Sequence, residues 1–103
     1  MTRVEIDAGV CGFTTLVEVE RVGAKVRVSV SSGCTMVTRL GERLGPVRPA
    51  HAAARILENP VHRAAAGCIA HPGCPVVAGI LKAIEVEAGV AVPRDACIRF
   101  QRP

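Results

Sequence analysis

The chain has 103 residues, of which 50% are apolar, and it carries a net charge of +4. This length suits one domain and is too short for two, so we expect a single domain over residues 1–103. The basic residues are scattered, and the aromatic residues are two Phe, with no Trp or Tyr. Proteins that bind single-stranded nucleic acid need a basic groove and aromatic stacking platforms, so nucleic acid is not an expected partner.

No apolar stretch approaches the roughly 20 residues that a membrane-spanning helix needs. The first residues carry charges where a signal peptide has its apolar segment. We therefore expect a cytoplasmic protein with no membrane partner. The five cysteines are then not expected to form structural disulfides, which are rare in reducing compartments, and their odd number leaves one unpaired in any case.

Three N-terminal segments alternate apolar and polar residues with a period of two, which is typical of strands. The first contains Val4 and Ile6, the second begins at Phe13, and the third follows a turn at Gly23. We expect these segments to form an antiparallel sheet with one solvent-exposed face.

Four helical segments follow in the sequence, one of them a short piece. Helices are predicted over residues 35–44 and 49–57, with a short helical piece over residues 61–66. The clearest helix begins at Pro75, because proline suits the first helical position and apolar residues recur there with helical spacing. Gly89 is well placed to end it.

The last segment alternates again, with Ala96, Ile98 and Phe100 on one side, so a final strand is predicted to join the sheet. The expected fold is therefore α+β. It has a small, mostly antiparallel sheet of about three N-terminal strands plus a C-terminal strand, packed with about three helices in the order β-β-β-α-α-α-β.

Four cysteines fall in glycine-flanked loops or at element junctions: Cys11, Cys34, Cys68 and Cys74. Loops at such junctions commonly lie together at one edge of a sheet, which would allow these four thiolates to come close to one another. Cys34 and Cys74 lie at predicted helix N-termini, where free N–H groups and the helix dipole favour the thiolate. A thiolate is the form of cysteine that binds a metal ion or an iron–sulfur cluster.

His71 lies between Cys68 and Cys74, and the run C-x-x-H-x-x-C has metal-ligand spacing. The four cysteines do not form paired C-x-x-C motifs, so this signal is weaker than that of a ferredoxin or a zinc ribbon. The alternative is that the cysteines pack as small apolar residues and that His71 bonds to the backbone of its own loop. We favour ligation for the four junction cysteines and packing for Cys97, on the predicted last strand.

Three motifs carry a resemblance to a known family: Asp7-x-Gly9-x-Cys11-Gly12-Phe13, Ser32-Gly33-Cys34, and His71-Pro-Gly-Cys74-Pro75-Val76 with the helix that follows. Over nearly its whole length the chain resembles a family of small uncharacterised proteins of anaerobic bacteria and methanogenic archaea, which has no established activity. The resemblance implies an anaerobic setting, where exposed iron–sulfur clusters survive. It is firmer at Cys11, Cys34 and Cys74 than at Cys68, which leaves the fourth ligand open between Cys68 and His71.

A second resemblance is confined to the pair Cys74-Pro75. Small sulfur-carrier proteins of the persulfide type have a similar Cys-Pro pair at the start of a helix.

The leading hypothesis is a non-catalytic module that binds a [4Fe–4S] cluster, with zinc as the alternative, since four thiolates suit either and the family resemblance favours iron. The proposed ligands are Cys11, Cys34, Cys68 and Cys74, with His71 as an alternative ligand or a hydrogen-bond partner of the ligands. Such a module carries electrons, delivers a cluster or holds a subunit together, and its partner is another protein. The rival hypotheses are a sulfur-transfer or redox protein with Cys74 as an ionised nucleophile, and a zinc-binding interaction module.

Overall fold

The computed structural model describes residues 1–103 as one sheet covered on one side by helices. The strands are β1 (Thr2–Asp7), β2 (Thr14–Val22) and β3 (Lys25–Ser32). The helices are α1 (Thr35–Arg43), α2 (Pro60–Ala66) and α3 (Val76–Glu87), with a 3-10 helix over Pro49–Ala53 between the first two. The predicted α+β class is confirmed, as are the three N-terminal strands.

The sheet is antiparallel with the strand order β1-β2-β3. Its register pairs Asp7 with Thr14 and Thr15 with Ser32. The end of β1, the start of β2 and the end of β3 therefore lie at the same end of the sheet. We call this end, marked by Asp7, Thr14 and Ser32, the thiol end.

One apolar cluster of 16 buried residues joins the sheet to the helices. In β2, Val17 and Val19 are fully buried, whereas Glu18 between them lies on the open face, as the period-two pattern predicts. Leu40 of α1 and Ile80 of α3 are fully buried in the same cluster. Both helices therefore pack on the same face of the sheet.

A close approach of α3 to β1 depends on a glycine. A Cβ atom at Gly79 would collide with the side chain of Ile6, so only glycine allows this separation between helix and strand. At the other end of α3, Gly89 has φ +80° and ends the helix, as the sequence predicts.

The helix predicted over residues 49–57 is wrong beyond its first turn, since only Pro49–Ala53 is helical, and as a 3-10 helix. The reason is a side chain. The amide of Asn59, which is buried, donates to the carbonyl oxygens of His51 (3.1 Å) and Ala54 (3.3 Å). These carbonyls are thus satisfied without further helical turns.

The predicted C-terminal strand is absent, and residues 89–103, here called the tail, are exposed throughout. Ile98 and Phe100 remain 81% and 98% exposed. Cys97, which was expected to pack as a small apolar residue, is also exposed, so that prediction is wrong. Alternation in a sequence indicates a strand with one apolar and one polar face, but it does not determine which strand the segment pairs with. None of the helices combines the length and hydropathy needed to cross a bilayer.

Candidate thiol site

Two cysteine loops leave the sheet at the thiol end. Cys11 lies in the loop between β1 and β2, and Cys34 lies in the turn between β3 and α1. Because the register pairs Thr15 with Ser32, these two connections emerge side by side from neighbouring strands.

A third cysteine is brought to the same end by the direction of α3. Gly79, in the first turns of α3, lies against Ile6 near the end of β1. The carboxylate of Glu87, at the last residue of α3, accepts a hydrogen bond from Thr2 at the start of β1 (2.7 Å). The helix therefore runs antiparallel to β1, and Cys74, which precedes it, lies towards the thiol end.

The loop of Cys11 and the turn of Cys34 touch each other. The ring of Phe13 covers Gly33, where a Cβ atom would lie 2.9 Å from Cδ1 of the ring. Each residue of this contact is within two positions of a cysteine, so the contact couples the placement of the two loops. Phe13 was predicted within the second strand, but β2 begins one residue later, which leaves the ring free for this role.

The loop of Cys11 is held by two local hydrogen bonds. The side chain of Asp7 accepts a hydrogen bond from the N–H of Gly9 (2.9 Å), and Gly9 accepts from the N–H of Gly12 (2.9 Å). Both glycines have positive φ, 87° and 76°, which a residue with a side chain rarely adopts. Cys11 itself is exposed.

Cys34 is the N-cap residue of α1 and is half-buried. Its N–H donates to the hydroxyl oxygen of Ser32 (3.1 Å), which also accepts from the hydroxyl of the fully buried Thr15 (2.8 Å). The carbonyl of Cys34 accepts from the N–H of Thr38 (2.9 Å), the first bond of the helix. Earlier N–H groups of α1 have no backbone acceptor, which leaves the positive end of the helix dipole beside the thiol.

Cys74 has a similar position at the start of α3. Pro75, the predicted first helical residue, is the N-cap residue, so α3 begins one position later, at Val76, and Cys74 lies just before the N-cap. The N–H of Cys74 donates to the carbonyl of His71 (3.1 Å), and the first N–H of α3 with a backbone acceptor is that of Gly79, which bonds to Pro75. The prediction that Cys34 and Cys74 lie at helix N-termini is confirmed.

The structure separates the two candidates for a fourth ligand. Cys68 follows α2 and is buried in the apolar cluster, 8% exposed, where it packs as a small apolar residue does. His71 is exposed and lines an open groove of about 390 Å³ with Ile69 and Val77. Cys97 lies on the tail.

No three His, Cys, Asp or Glu side chains form a group that could hold a metal ion as they stand. The fold thus brings Cys11, Cys34 and Cys74 to one end of the molecule without arranging them as a coordination shell. All five cysteines are free thiols.

Sequence reasoning missed Ser32, whose hydroxyl positions the backbone of Cys34. A usable signal was present, because Ser32 continues the period-two phase of Val28 and Val30 and so belongs to the helix-covered face of β3. A serine in that phase at a strand end is expected to seek a hydrogen-bond partner.

The fold and this site define a small α+β domain with thiols gathered at one end of its sheet. The chain belongs to a family of unknown function, DUF6951, whose model matches residues 2–100. No curated protein and no solved structure matches this chain. The resemblance to persulfide carriers at Cys74-Pro75 and the anaerobic setting therefore stay predictions.

Proposed function

We propose that the protein is a small non-catalytic module that binds a metal centre through thiolates at the thiol end. A [4Fe–4S] cluster is the first choice and zinc the alternative. The observation that supports this proposal is the placement of Cys11, Cys34 and Cys74 on three connections at one end of the sheet. Thiolate sulfur is the donor that both kinds of centre require.

Thiolate sulfur is a suitable ligand for such a centre. The three cysteines do not yet form a ligand group, so the loop of Cys11 has to move for all three to reach one centre. Cys34 and Cys74 both pack against the apolar cluster, so their backbones are held. The loop of Cys11 is exposed and contains Gly9 and Gly12, which permit a change of backbone conformation at low cost. We infer that this loop closes over the centre when the centre binds.

For the fourth ligand, exposure favours His71 over Cys68. His71 already lies, exposed, in the loop that leads to Cys74. Cys68 would have to leave the apolar cluster, and the loss of a buried side chain from a core is costly.

A bound centre would supply electron transfer or cluster delivery, both of which involve a protein partner, or it would cross-link the fold. The chain's own contribution is to hold thiolates next to the N-termini of α1 and α3, where the helix dipoles and free N–H groups offset the negative charge of sulfur ligands.

The test is anaerobic purification followed by iron, sulfide and zinc analysis and by absorption spectroscopy. We expect a bound centre in the wild-type protein and its loss or strong weakening in Cys11→Ser, Cys34→Ser and Cys74→Ser. Cys97→Ser is the matched control, because Cys97 is an exposed cysteine on the tail, and it should retain the centre. Metal-free wild-type protein after anaerobic purification and reconstitution, or full occupancy in all of these variants, would refute the proposal.

A second candidate is favoured by the absence of any group of three potential ligands. A sulfur carrier needs one nucleophilic thiolate only, and Cys74 stands next to the N-terminus of α3. In this role the Cys74 thiolate accepts a sulfur atom from a donor persulfide, which leaves as a thiolate, and the new persulfide passes that sulfur on.

Alkylation of the protein as isolated distinguishes the two candidates. A carrier should react fast at Cys74 and should be unaffected by Cys11→Ser or Cys34→Ser. A ligated site should resist alkylation until the metal is removed, after which Cys11, Cys34 and Cys74 should all react. Rapid reaction at Cys74, without bound metal, would favour the carrier.

A further inference from the structure

The tail exposes apolar side chains that nothing in its own chain covers. Ile98 and Phe100 are 81% and 98% exposed, and no backbone hydrogen bond joins the tail to the sheet. The molecule measures 47 Å along its longest axis but only 28 and 24 Å along the others, as expected for a tail that projects from a compact body. A contiguous exposed apolar surface is typical of an interaction site.

One edge of the sheet is likewise uncovered. The edge of β3 is partly occupied, because Val26 and Val47 exchange two backbone hydrogen bonds (2.7 and 2.9 Å). The opposite edge is β1, whose only strand partner is β2. Its outer N–H and C=O groups are a template for another strand.

The tail matches this edge in its alternation. In β1, Val4 and Ile6 face the helices while Glu5 is exposed on the open face. In the tail, Ile98 and Phe100 are separated by a single polar residue, Arg99. The two segments therefore have the same period and the same division into an apolar and a polar face.

The charges match in the same register. When Arg99 stands opposite Glu5, the two charges are complementary cross-strand neighbours. Ile98 and Phe100 then lie on the side of the sheet that the helices cover, where both apolar side chains are removed from water.

We propose that residues 96–101 of one copy add as a strand to the β1 edge of a second copy, and that the exchange is reciprocal. The occupant is a second copy because the tail projects from its own body while its own β1 edge stays unpaired. A symmetric exchange covers both tails and both edges, so the assembly closes as a dimer and does not grow further. This inference is independent of the proposed metal centre.

The first test is the molecular mass of the reduced 103-residue chain, measured by sedimentation over a range of concentrations. We expect a dimer, and we expect Ile98→Ser with Phe100→Ser to raise its dissociation constant by at least about 100-fold. Val92→Ser is the matched control, since Val92 is an equally exposed apolar residue of the tail (77%) that lies outside the proposed strand. It should remain a dimer.

Charge reversal tests the register. Glu5→Arg and Arg99→Glu should each weaken the dimer about tenfold by placing like charges opposite each other, and the two changes together should restore it. Circular dichroism checks that each variant is folded, which we expect because none of the changed side chains is buried in a single chain.

Three outcomes would overturn the proposal. One is a monomeric wild-type protein at all concentrations, whether its tail is free or bound to its own β1 edge. Another is a dimer that the double serine variant leaves intact. The third is a dimer in which the combined charge reversal fails to restore the affinity lost by the single changes.

Discussion

The two ends of the sheet differ in how their polar groups are hydrogen-bonded. At the end away from the thiols, the carboxylate of Glu87 accepts hydrogen bonds from the hydroxyl of Thr2 (2.7 Å) and from the N–H of Arg21 (3.0 Å). It thereby ties the last turn of α3 to β1 and β2, and we call these three residues the carboxylate clamp. At the thiol end, glycine loops and free thiols surround helix N-termini whose N–H groups have no backbone acceptor.

The difference shows which end of the sheet has hydrogen-bond donors that are not already used within the chain. The hydrogen bond from the Thr2 hydroxyl and, after it, the one from the N–H of Arg21 lower the pKa of Glu87 below its ordinary value. The negative charge of the clamp is thus bound by groups of the same chain. The thiol end has positive helix ends and no anionic side chain bonded to them. An external centre bound by thiolates would complete that end as Glu87 completes the other.

The largest expected effect comes from forcing α3 away from β1 near the thiol end. Gly79→Val should destabilise the protein by about 2 kcal/mol, because even a Cβ atom at this position collides with Ile6. Chemical denaturation measures the loss. The alkylation rate of Cys74 should rise as well, since its backbone is anchored just before the displaced helix.

The matched control is Gly45→Val. A Cβ atom at Gly45 meets no other atom within 4 Å, and its φ is not positive. Its stability should therefore change by no more than about 0.5 kcal/mol. Equal losses in both variants would contradict the close approach of α3 to β1.

The next effect concerns the support of Cys34. Ser32→Ala removes the oxygen that accepts from Thr15 and from the N–H of Cys34, and it leaves the buried hydroxyl of Thr15 without a partner. We expect a loss of about 1.5 kcal/mol and, in metal-loaded protein, a weaker centre. Ser31→Ala, at an exposed neighbour with no side-chain hydrogen bond, should do neither.

The carboxylate clamp gives a smaller effect with a pH signature. Glu87→Gln should cost about 1 kcal/mol at neutral pH. Because the pKa of Glu87 is lower in the folded protein than in the unfolded chain, its stabilisation is complete above the unfolded pKa and disappears as the pH falls through the folded pKa. The stability difference between wild type and variant should thus shrink on acidification.

Glu85→Gln is the matched control. Glu85 is half-exposed on the same helix, and its carboxylate accepts no hydrogen bond. Its substitution should therefore change the free energy of unfolding at neutral pH by no more than about 0.5 kcal/mol. If Glu87→Gln loses no more than this control, or if its loss does not shrink on acidification, the carboxylate clamp does not stabilise the fold through its charge.

Local periodicity sufficed for most of the fold. The alternation of Val26, Val28 and Val30 predicts β3, and helical spacing with Pro75 and Gly89 predicts α3 within one or two residues. The junction positions of the cysteines follow from the same boundaries. These features depend on neighbours in the sequence, so a single sequence contains them.

Features that depend on distant partners could not be predicted in this way. The amide of Asn59 ends the helix expected beyond Ala53 by binding two carbonyls, and nothing in the local pattern of residues 49–57 reveals it. The contact of Phe13 with Gly33 likewise joins residues far apart in the chain. The tail shows the same limit, because its alternation indicates a strand but not where that strand finds an edge.

The smallest effect on the metal-free protein should come from Cys11→Ala, and it is the most informative about function. Cys11 is exposed and belongs to no buried contact, so chelated protein should lose no more than about 0.5 kcal/mol. Metal-loaded protein should behave differently, because a ligand's contribution to binding adds to stability only in the folded state. We therefore expect the variant to melt well below the wild type before chelation and together with it afterwards. Cys97→Ala, at the other exposed cysteine, should match the wild type under both conditions. If Cys11→Ala and the wild type melt together in both states, the loop of Cys11 does not close on a metal centre, and the sulfur-carrier alternative gains.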